Sequence, residues 1–476
     1  MVLDAPATSE RSQARTLRQA FSSIPARFAI GVFTLLIAIW TLLLTLPIAS
    51  KSGTITPLPD ALFTAVSAIC VTGLTVVEHS SHWSLFGDAV ILLGAQIGGI
   101  GVLSLASILG LTVTRRLGLK QRLLAQSEAN SSRQIGARGQ SAASSLGDMR
   151  GLLASVALST LIIEGALMLL MYPQMLLAGY DPLRSLWYSG YMAITTFTNT
   201  GFVPMADGLD RFTGNYGFLG IMSLGVFLGA IGFPVIFSLY RYIVDRGWST
   251  HKRFNLHVKL TLVTTIILTL AGWLVIGALE WQNPRTLGAG GVGEALMHSF
   301  YTSVMTRSGG FSLIDPSLMN GSTHIVLDML MFVGGGSAST AGGIKVTTVA
   351  VLFLAAMSEA RGYQDIQAFG RRIPTEVLRL AVSVVIWGAT IVVTATIAIT
   401  QISGEDLDRV LFEVISGFAT CGLTTGLSAE LPTSAKIILA ATIWAGRVGT
   451  VTLASAVAAS SRSRLYRLAE ERPIVG

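Results

Sequence analysis

Four short glycine-bearing turns recur along the chain, and in each the last glycine is followed by leucine or phenylalanine. Glycine permits left-handed backbone, which can direct successive carbonyl oxygens at a common axis. A ring of such oxygens replaces the hydration shell of a monovalent cation, so four turns predict one cation filter built from backbone. The predicted filter residues are Val71, Thr72, Gly73, Asn199, Thr200, Gly201, Ser308, Gly309, Gly310, Thr420, Cys421 and Gly422.

Each turn follows an apolar segment that is too short to cross a membrane, which takes about 20 apolar residues. Half-membrane segments are tolerated where they are buried in protein or line a watery cavity, so we expect helices that enter the membrane and turn back. The four short segments are about 59–71, 184–198, 293–306 and 407–420. Longer apolar segments flank them at roughly 27–49, 85–113, 151–173, 214–242, 258–280, 322–358, 376–402 and 433–460.

The composition agrees with a membrane protein, since 51% of the 476 residues are hydrophobic and only 12% are charged. Soluble chains carry about 25% charged residues, so a soluble enzyme is excluded. Of the 33 lysines and arginines, 24 fall in the two tails and in alternate connections. The opposite connections hold only seven: Lys51, Arg184, Arg211, Arg285, Arg307, Arg409 and Lys436. The positive-inside rule then predicts that both termini are cytoplasmic and that the number of spans is even. The net charge of +7 is therefore a topology signal, and nucleic acid is excluded as a partner.

We predict an all-α integral membrane protein of the cytoplasmic membrane, with eight transmembrane helices and four re-entrant pore helices. They form four pseudo-symmetric helix–pore loop–helix repeats around one central pore. The first span follows a basic tail but is longer than a signal h-region, so it is interpreted as retained. The predicted boundaries are a cytoplasmic tail 1–26, repeat 1 at 27–113, a basic loop 114–150, repeat 2 at 151–242, a loop 243–257, repeat 3 at 258–362, a loop 363–375, repeat 4 at 376–460 and a tail 461–476.

The third repeat contains a glycine-rich stretch where the other repeats continue a span. Such dense glycine lowers helix stability by up to ~1 kcal/mol per residue, which predicts a helix broken at mid-membrane by a flexible loop. Two cations, Lys345 and Arg447, occupy positions where other repeats have small residues, and a mid-membrane cation is a functional candidate. Either could instead be a structural tie between helices. The predicted gate comprises Gly334, Gly335, Gly336, Ser337, Ala338, Ser339, Thr340, Ala341, Gly342, Gly343, Lys345 and Arg447.

Several other polar residues have structural interpretations. Glu164, inside a span, is expected to pair with a structural partner. The acidic residues around the fourth re-entrant helix are expected to form a solvated rim: Glu405, Asp406, Asp408 and Glu413. Glycines inside the second spans, such as Gly98 and Gly446, fit close helix packing at least as well as function. Cys70 and Cys421 have no predicted redox role.

Two other classes of function remain as alternatives. A secondary transporter of a small organic solute or of Na⁺ would also use broken helices, but that class typically has two inverted repeats rather than four parallel copies. A membrane-embedded enzyme would need converging nucleophilic, acid–base or metal-binding residues. The six histidines fall at loops or helix ends without an HExxH pattern, so we predict no enzymatic activity and no bound cofactor.

At the four turns, the glycine-rich stretch and Arg447, the sequence resembles the Trk/Ktr/HKT superfamily of potassium-transporting membrane subunits, over about residues 27–460. It is most similar to the KtrB members, because repeat 1 comes first without a leading helix pair. Gly309 departs from the small non-glycine residue that the family usually has in the third turn. The resemblance implies looser discrimination between K⁺ and Na⁺ at that turn.

The resemblance further implies a homodimer with one pore per subunit, K⁺ dehydrated at the filter and Arg447 just beneath it. Residues 334–343 would form the gate within the membrane. It implies a cytoplasmic ring of nucleotide-binding regulatory subunits of the KtrA/TrkA type, which we expect to dock on residues 114–150 and 241–259. Na⁺ is a second candidate ion, either as a transported species or as a stimulator.

Overall fold

The computed structural model describes residues 30–115, 142–244 and 254–449, with side chains described outside 102–115 and 142–153. Both predicted tails, most of the 114–150 loop, much of the 243–257 loop and the end of repeat 4 lie outside the described residues. The described part is mainly helical, with each predicted short segment forming a helix between longer ones.

The first two repeats share one order of helices. A helix, a short helix, a turn and a second long segment follow one another in both. In repeat 1 they are α1 (Ile30–Thr45), α2 (Leu58–Ile69), a single-turn α3 (His79–His82) and α4 (Leu85–Arg115). In repeat 2 they are α5 (Ala142–Leu177), α6 (Pro182–Thr198), α7 (Tyr216–Ile231) and α8 (Phe233–Val244).

Repeats 3 and 4 repeat that order, with a long interruption in the second segment of repeat 3. Repeat 3 comprises α9 (Leu256–Glu280), α10 (Val292–Met305), α11 (Gly321–Phe332) and α12 (Val346–Ala360). Repeat 4 comprises α13 (Thr375–Ser403), α14 (Leu407–Phe418), the single-turn α15 (Leu427–Glu430), α16 (Thr433–Trp444) and a π-helical turn (Ala445–Gly449).

The repeats are arranged in a closed cycle. The second segment of each repeat packs on the short helix of the next, with α4 on α6, α7 on α10, α11 on α14 and, closing the cycle, α16 on α2. Polar contacts near the short helices join the successive pairs. These contacts are His79 Nε2 with Tyr191 Oη at 3.2 Å, His298 Nε2 with the Thr213 carbonyl at 3.0 Å, His324 Nδ1 with Asp408 Oδ2 at 2.7 Å and Lys436 Nζ with Asp60 Oδ1 at 3.0 Å.

Among the described residues, three helices are long and apolar enough to cross a membrane: Ala154–Leu177, Leu256–Glu280 and Thr375–Ser403. A fourth is added if α7 and α8 count as one bent span. The protein is therefore a helical membrane protein, and the number of eight spans stays a prediction.

Two predicted segments differ in the structure. The prediction of one span over 214–242 is wrong in shape, because the chain bends by 106° between α7 and α8 at Gly232. Pro234 explains the bend, since it has no N–H to donate to the carbonyl of Ala230 one turn earlier. The predicted all-α fold also missed an antiparallel hairpin in the 363–375 loop, between β1 (Ile366–Ala368) and β2 (Arg371–Ile373).

Candidate functional site

The four turn glycines meet in a closed ring. A Cβ added to Gly73 would overlap the carbonyl of Thr200, and one added to Gly201 would lie 3.0 Å from the Cα of Gly310. A Cβ on Gly310 would overlap the carbonyl of Cys421, and one on Gly422 would overlap that of Thr72, which returns the contact to the first turn. We call Gly73, Gly201, Gly310 and Gly422 the glycine ring. A side chain at Gly73, Gly310 or Gly422 would collide with the backbone of the next turn, and one at Gly201 would be in tight contact with it.

The backbone of the turns is as repetitive as their sequence. Each ring glycine has a left-handed φ, between 73° and 96°. The residue two positions earlier is left-handed as well, although it is not glycine: Val71 (59°), Asn199 (60°), Ser308 (81°) and Thr420 (48°). A positive φ is a genuine outlier for the β-branched Val71 and Thr420. Such strain persists only where the surrounding structure enforces it, and it clusters at functional sites.

In three of the turns, a Schellman motif ends the short helix and produces this backbone. In the first turn, Thr72 N donates to the Ser67 carbonyl (2.8 Å) and Val71 N to that of Ala68 (3.1 Å). The second and fourth turns repeat this pair of bonds at Thr200 and Cys421. The negative carbonyl ends of the short helices therefore terminate next to the glycine ring.

The third turn is built differently. Both Gly309 N and Gly310 N donate to the Met305 carbonyl, at 2.8 and 3.3 Å. Ser308 Oγ donates to the Thr420 carbonyl at 2.8 Å and thereby ties the third turn to the fourth. Gly309 thus lies in the one turn whose hydrogen bonding differs from that of the other three.

Two threonine hydroxyls at the ring have no hydrogen-bond partner among the described residues: Thr72 Oγ1 and Thr420 Oγ1. Both residues are fully buried, and a buried polar atom without a partner costs free energy. These oxygens, together with the turn carbonyls, are uncharged oxygen ligands of the kind that suit an alkali cation. Within the described residues, no group of three or more His, Cys, Asp or Glu residues could hold a metal ion.

The glycine-rich stretch forms a loop between α11 and α12, residues 333–345, which we call the 333–345 loop. Its two ends pair with each other, because Ile344 N donates to the Phe332 carbonyl (3.2 Å) and Val346 N to that of Gly335 (3.1 Å). The predicted break in this helix is therefore present. All of residues 334–343 are buried except Ser337 and Ala338, which are half-buried.

The tip of this loop hydrogen-bonds to the bend between α7 and α8. Gly336 N donates to the Ala230 carbonyl (2.7 Å) and Thr340 N to that of Gly229 (3.3 Å). In return, Phe233 N donates to the Ala338 carbonyl at 3.2 Å. The loop thus satisfies carbonyls that α7 leaves free where it ends, which is why two interrupted helices stabilise each other.

The loop also touches the glycine-bearing turns themselves. Gly342 N donates to Ser308 Oγ at 3.2 Å, and Thr340 Oγ1 donates to the Phe197 carbonyl at 3.3 Å. A Cβ on Gly342 would overlap the Thr420 side chain. The loop therefore lies against repeats 2, 3 and 4 beside the ring, with no room for larger side chains at Gly342.

Within the part of the chain that the structure describes, three cations donate to carbonyls of the loop. The two that the sequence singled out are Arg447, whose Nη1 donates to the Thr340 carbonyl, and Lys345, whose Nζ donates to that of Ala341 at 2.5 Å. The third is Arg307, whose Nη2 donates to the Gly334 carbonyl at 3.1 Å. Arg307 is buried with 2% exposure, so its predicted place in an exposed outer connection is wrong.

The remaining candidates have structural roles. Glu164 accepts a hydrogen bond from Gln96 Nε2 at 2.9 Å, so the expected structural partner is present. Glu413 does not belong to a solvated rim, because it is buried and accepts hydrogen bonds from Thr424 Oγ1 and Ser428 N. Cys70 and Cys421 are buried free thiols. In the second segments, Gly98, Gly229 and Gly446 each pack on a carbonyl in the last turn of a short helix.

The sequence matches the family model described as "TrkH: Cation transport protein" over residues 7–464. This match spans nearly the whole chain. The chain belongs to the TrkH family of cation transport proteins. Membership of the TrkH family confirms that the chain is a transport protein rather than an enzyme, and it disfavours the alternative of an organic-solute transporter.

Curated relatives support the similarity to Ktr proteins. The chain is 33% identical to the Ktr system potassium uptake protein B of Bacillus subtilis, covering 93% of this chain and 94% of the relative. It is 31% identical to the potassium/sodium uptake protein NtpJ of Enterococcus hirae, covering 95% and 97%. Among solved structures, the potassium transporter TrkH from Vibrio parahaemolyticus superimposes with a TM-score of 0.66 at 18% identity, covering 89% of this chain and 84% of that one.

Two features of this TrkH-family site escaped the sequence analysis. The bend at Gly232 had a signal, since Gly232-Phe233-Pro234 interrupts an apolar run with a helix-breaking pair. Arg307 had a weaker one, because it lies only three residues before a ring glycine. The burial of Arg307 could not be predicted from the distribution of charges along the chain.

Proposed function

We propose that this chain transports K⁺ across the cytoplasmic membrane through the glycine ring, with the 333–345 loop as its gate. The filter consists of the twelve turn residues named above. The single observation that carries the proposal is the closure of the ring, in which each turn glycine abuts the next turn and the fourth abuts the first.

Transport through this site requires that K⁺ lose water at little net cost. Turn carbonyls and the unpartnered hydroxyls of Thr72 and Thr420 supply neutral oxygens for this exchange. The short helices add the negative ends of their dipoles, which favour a cation without binding it as tightly as a carboxylate would. A site of this kind admits the ion and also releases it.

The gate in this proposal is the 333–345 loop in its present position. The loop rests beside the ring, and its peptide groups hydrogen-bond to three repeats, so an ion leaving the ring meets protein rather than water. Opening requires that the bonds to Gly229, Ala230 and Ser308 be broken together. Arg447 adds a fixed positive charge at this level, which opposes the accumulation of cations there.

The test of the filter is a pair of matched glycine variants in repeat 4. Gly422 and Gly426 both have left-handed φ, 96° and 86°, but a Cβ at Gly426 meets nothing within 4 Å. In liposomes, Gly422→Ala is expected to reduce ⁸⁶Rb⁺ uptake at least tenfold, whereas Gly426→Ala keeps uptake near that of the parent protein. Equal uptake by the two variants would refute the filter.

We further propose that the protein works as a homodimer with both termini cytoplasmic and that nucleotide-binding subunits of the KtrA/TrkA type dock on its inner face. The charge of the basic connections 114–150 and 241–259 supports the orientation and marks the expected docking surface, while the homodimer is what the resemblance to KtrB implies. Na⁺ is a second transported or stimulating ion, since one relative is a potassium/sodium uptake protein. Uptake of ²²Na⁺ alone, and of ⁸⁶Rb⁺ with and without Na⁺, separates these two roles.

A further inference from the structure

Arg307 is a buried cation for which neither the filter nor the predicted gate accounts. It follows α10, three residues before Gly310, and is 2% exposed. Nη2 donates to the Gly334 carbonyl at 3.1 Å and Nη1 to the Thr265 carbonyl in α9 at 3.3 Å. Nε has no partner among the described residues, and no ion pair with a carboxylate there neutralises the guanidinium.

The hydrogen bond from Arg307 to the Gly334 carbonyl restrains the 333–345 loop. Gly334 is where the 333–345 loop leaves the end of α11, and a Cβ there would overlap the carbonyl of Gly342 on the returning strand of the loop. Gly342 in turn donates to Ser308 Oγ in the third turn. Holding Gly334 therefore also holds the part of the loop that touches the ring.

The energetics favour the closed loop. A buried charge without a counterion depends on the dipoles around it, and hydrogen bonds from a charged donor are stronger than neutral ones. If the loop moved away, Arg307 would lose one of its two carbonyl acceptors and retain only Thr265. Moving the loop thus incurs a desolvation cost at Arg307, in addition to the cost of its backbone hydrogen bonds.

The loop is then clamped from two sides. Arg307 acts at its beginning through Gly334, while Arg447 acts near its end through Thr340. We propose that Arg307 is a positioning residue that holds the first half of the 333–345 loop against the ring and so raises the closed fraction of the gate. The effect on gating rests on the proposed function, whereas the contact between Arg307 and the loop does not. The competing interpretation is a static tie between α9 and α10 through Thr265.

The first experiment measures the loop without measuring transport. Ser337 is one of the two half-buried residues in the stretch 334–343, so Ser337→Cys serves as a reporter for a thiol reagent, with Cys70 and Cys421 buried. In this background, Arg307→Gln is expected to speed labelling about tenfold, the effect of losing one charge-assisted hydrogen bond. Arg307→Lys, which keeps the charge, should give an intermediate rate. The control Arg409→Gln removes a partly exposed arginine and should leave the rate unchanged.

The second experiment asks whether Arg307 acts through the loop. Arg307→Gln is expected to raise ⁸⁶Rb⁺ flux several-fold in the full chain and to have no effect in a chain that lacks residues 335–341. If Arg307→Gln does not fold, the same comparison is made with Arg307→Lys.

The outcomes separate the two proposals. Unchanged labelling in folded Arg307→Gln and Arg307→Lys overturns the positioning role, as does an effect on flux that persists without the loop. If the Arg307 variants are labelled faster but the parent protein itself transports no ⁸⁶Rb⁺, the positioning role is supported and the proposed function is overturned.

Discussion

Repeats 2 and 3 both interrupt their second helix, but the interruptions differ in size. Between α7 and α8 a single residue, Gly232, separates the helices, whereas residues 333–345 separate α11 from α12. The short break leaves the carbonyls of Gly229 and Ala230 free, and the long break supplies the N–H groups of Gly336 and Thr340 that satisfy them. One interruption is thus a docking site, and the other is the segment that docks.

The break between α7 and α8 and the break between α11 and α12 therefore form one structural unit. Pro234 prevents α7 and α8 from continuing as one regular helix, so the Ala230 carbonyl needs an outside donor. Repeat 1 offers a contrast within the chain, since its α4 runs without interruption from Leu85 to Arg115. The proposed gate therefore depends on repeat 2 as much as on repeat 3.

Removing residues 335–341 should produce the largest change in flux, because it eliminates the segment that docks and leaves the docking site between α7 and α8 in place. We expect ⁸⁶Rb⁺ flux to rise at least tenfold in liposomes. Membrane insertion and purification yield serve as controls for folding. Unchanged or lower flux in a folded protein would show that the loop is no barrier.

Gly232→Ala weakens the contact between the 333–345 loop and the bend from the side of the bend. Gly232 has a φ of 86°, and a Cβ there would lie 2.8 Å from the carbonyl oxygens of Ser337 and Ala338. We expect flux to increase by about three- to tenfold, since a change of about 1 kcal/mol in loop docking corresponds to roughly a factor of five. The matched control is Gly208→Ala in the same repeat, with a φ of 55° and nothing within 4 Å of the added Cβ. Equal effects of both variants would mean that only backbone strain matters.

Arg447→Gln tests the clamp that repeat 4 contributes. The substitution removes the charged donor to the Thr340 carbonyl and leaves the bonds to repeat 2 intact. We expect an increase in flux of about threefold, smaller than for Gly232→Ala because a neutral amide can still donate one hydrogen bond. The measurement is ⁸⁶Rb⁺ flux against K⁺ concentration. Unchanged ⁸⁶Rb⁺ flux would indicate that Arg447 is a structural tie between helices and has no role in gating.

Pro234→Ala should have the smallest effect. It restores an N–H that can reach Ala230 and compete with Gly336 for the same carbonyl. We expect labelling of Ser337→Cys to accelerate about twofold, because about 0.5 kcal/mol, the low end for an ordinary hydrogen bond, corresponds to roughly a factor of two. Pro432→Ala, at the N-cap of α16, is the control outside the contact. Slower labelling would contradict the proposed competition.

The local features of the fold could be read from the sequence in detail. The four short helices, the turn glycines and the break of the third repeat depend on segment length, glycine content and apolar runs, which are local properties. The bend at Gly232 also had a local cause in Pro234, which the apolar count of 214–242 concealed. Glu413 could not be assigned correctly, because acidic residues next to it are exposed while its own position on α14 faces the protein.

By itself, the sequence determined that this is a membrane protein, and it predicted four repeats with one matching glycine in each turn. Tertiary structure alone decided that these glycines abut one another in a closed cycle, since their contacts join residues about a hundred positions apart. It also decided that Arg307 lies buried against the Gly334 carbonyl instead of in an outer connection. The reason is physical: helix and turn propensity act over a few residues, whereas burial and the pairing of a charge with a distant carbonyl depend on how the repeats pack.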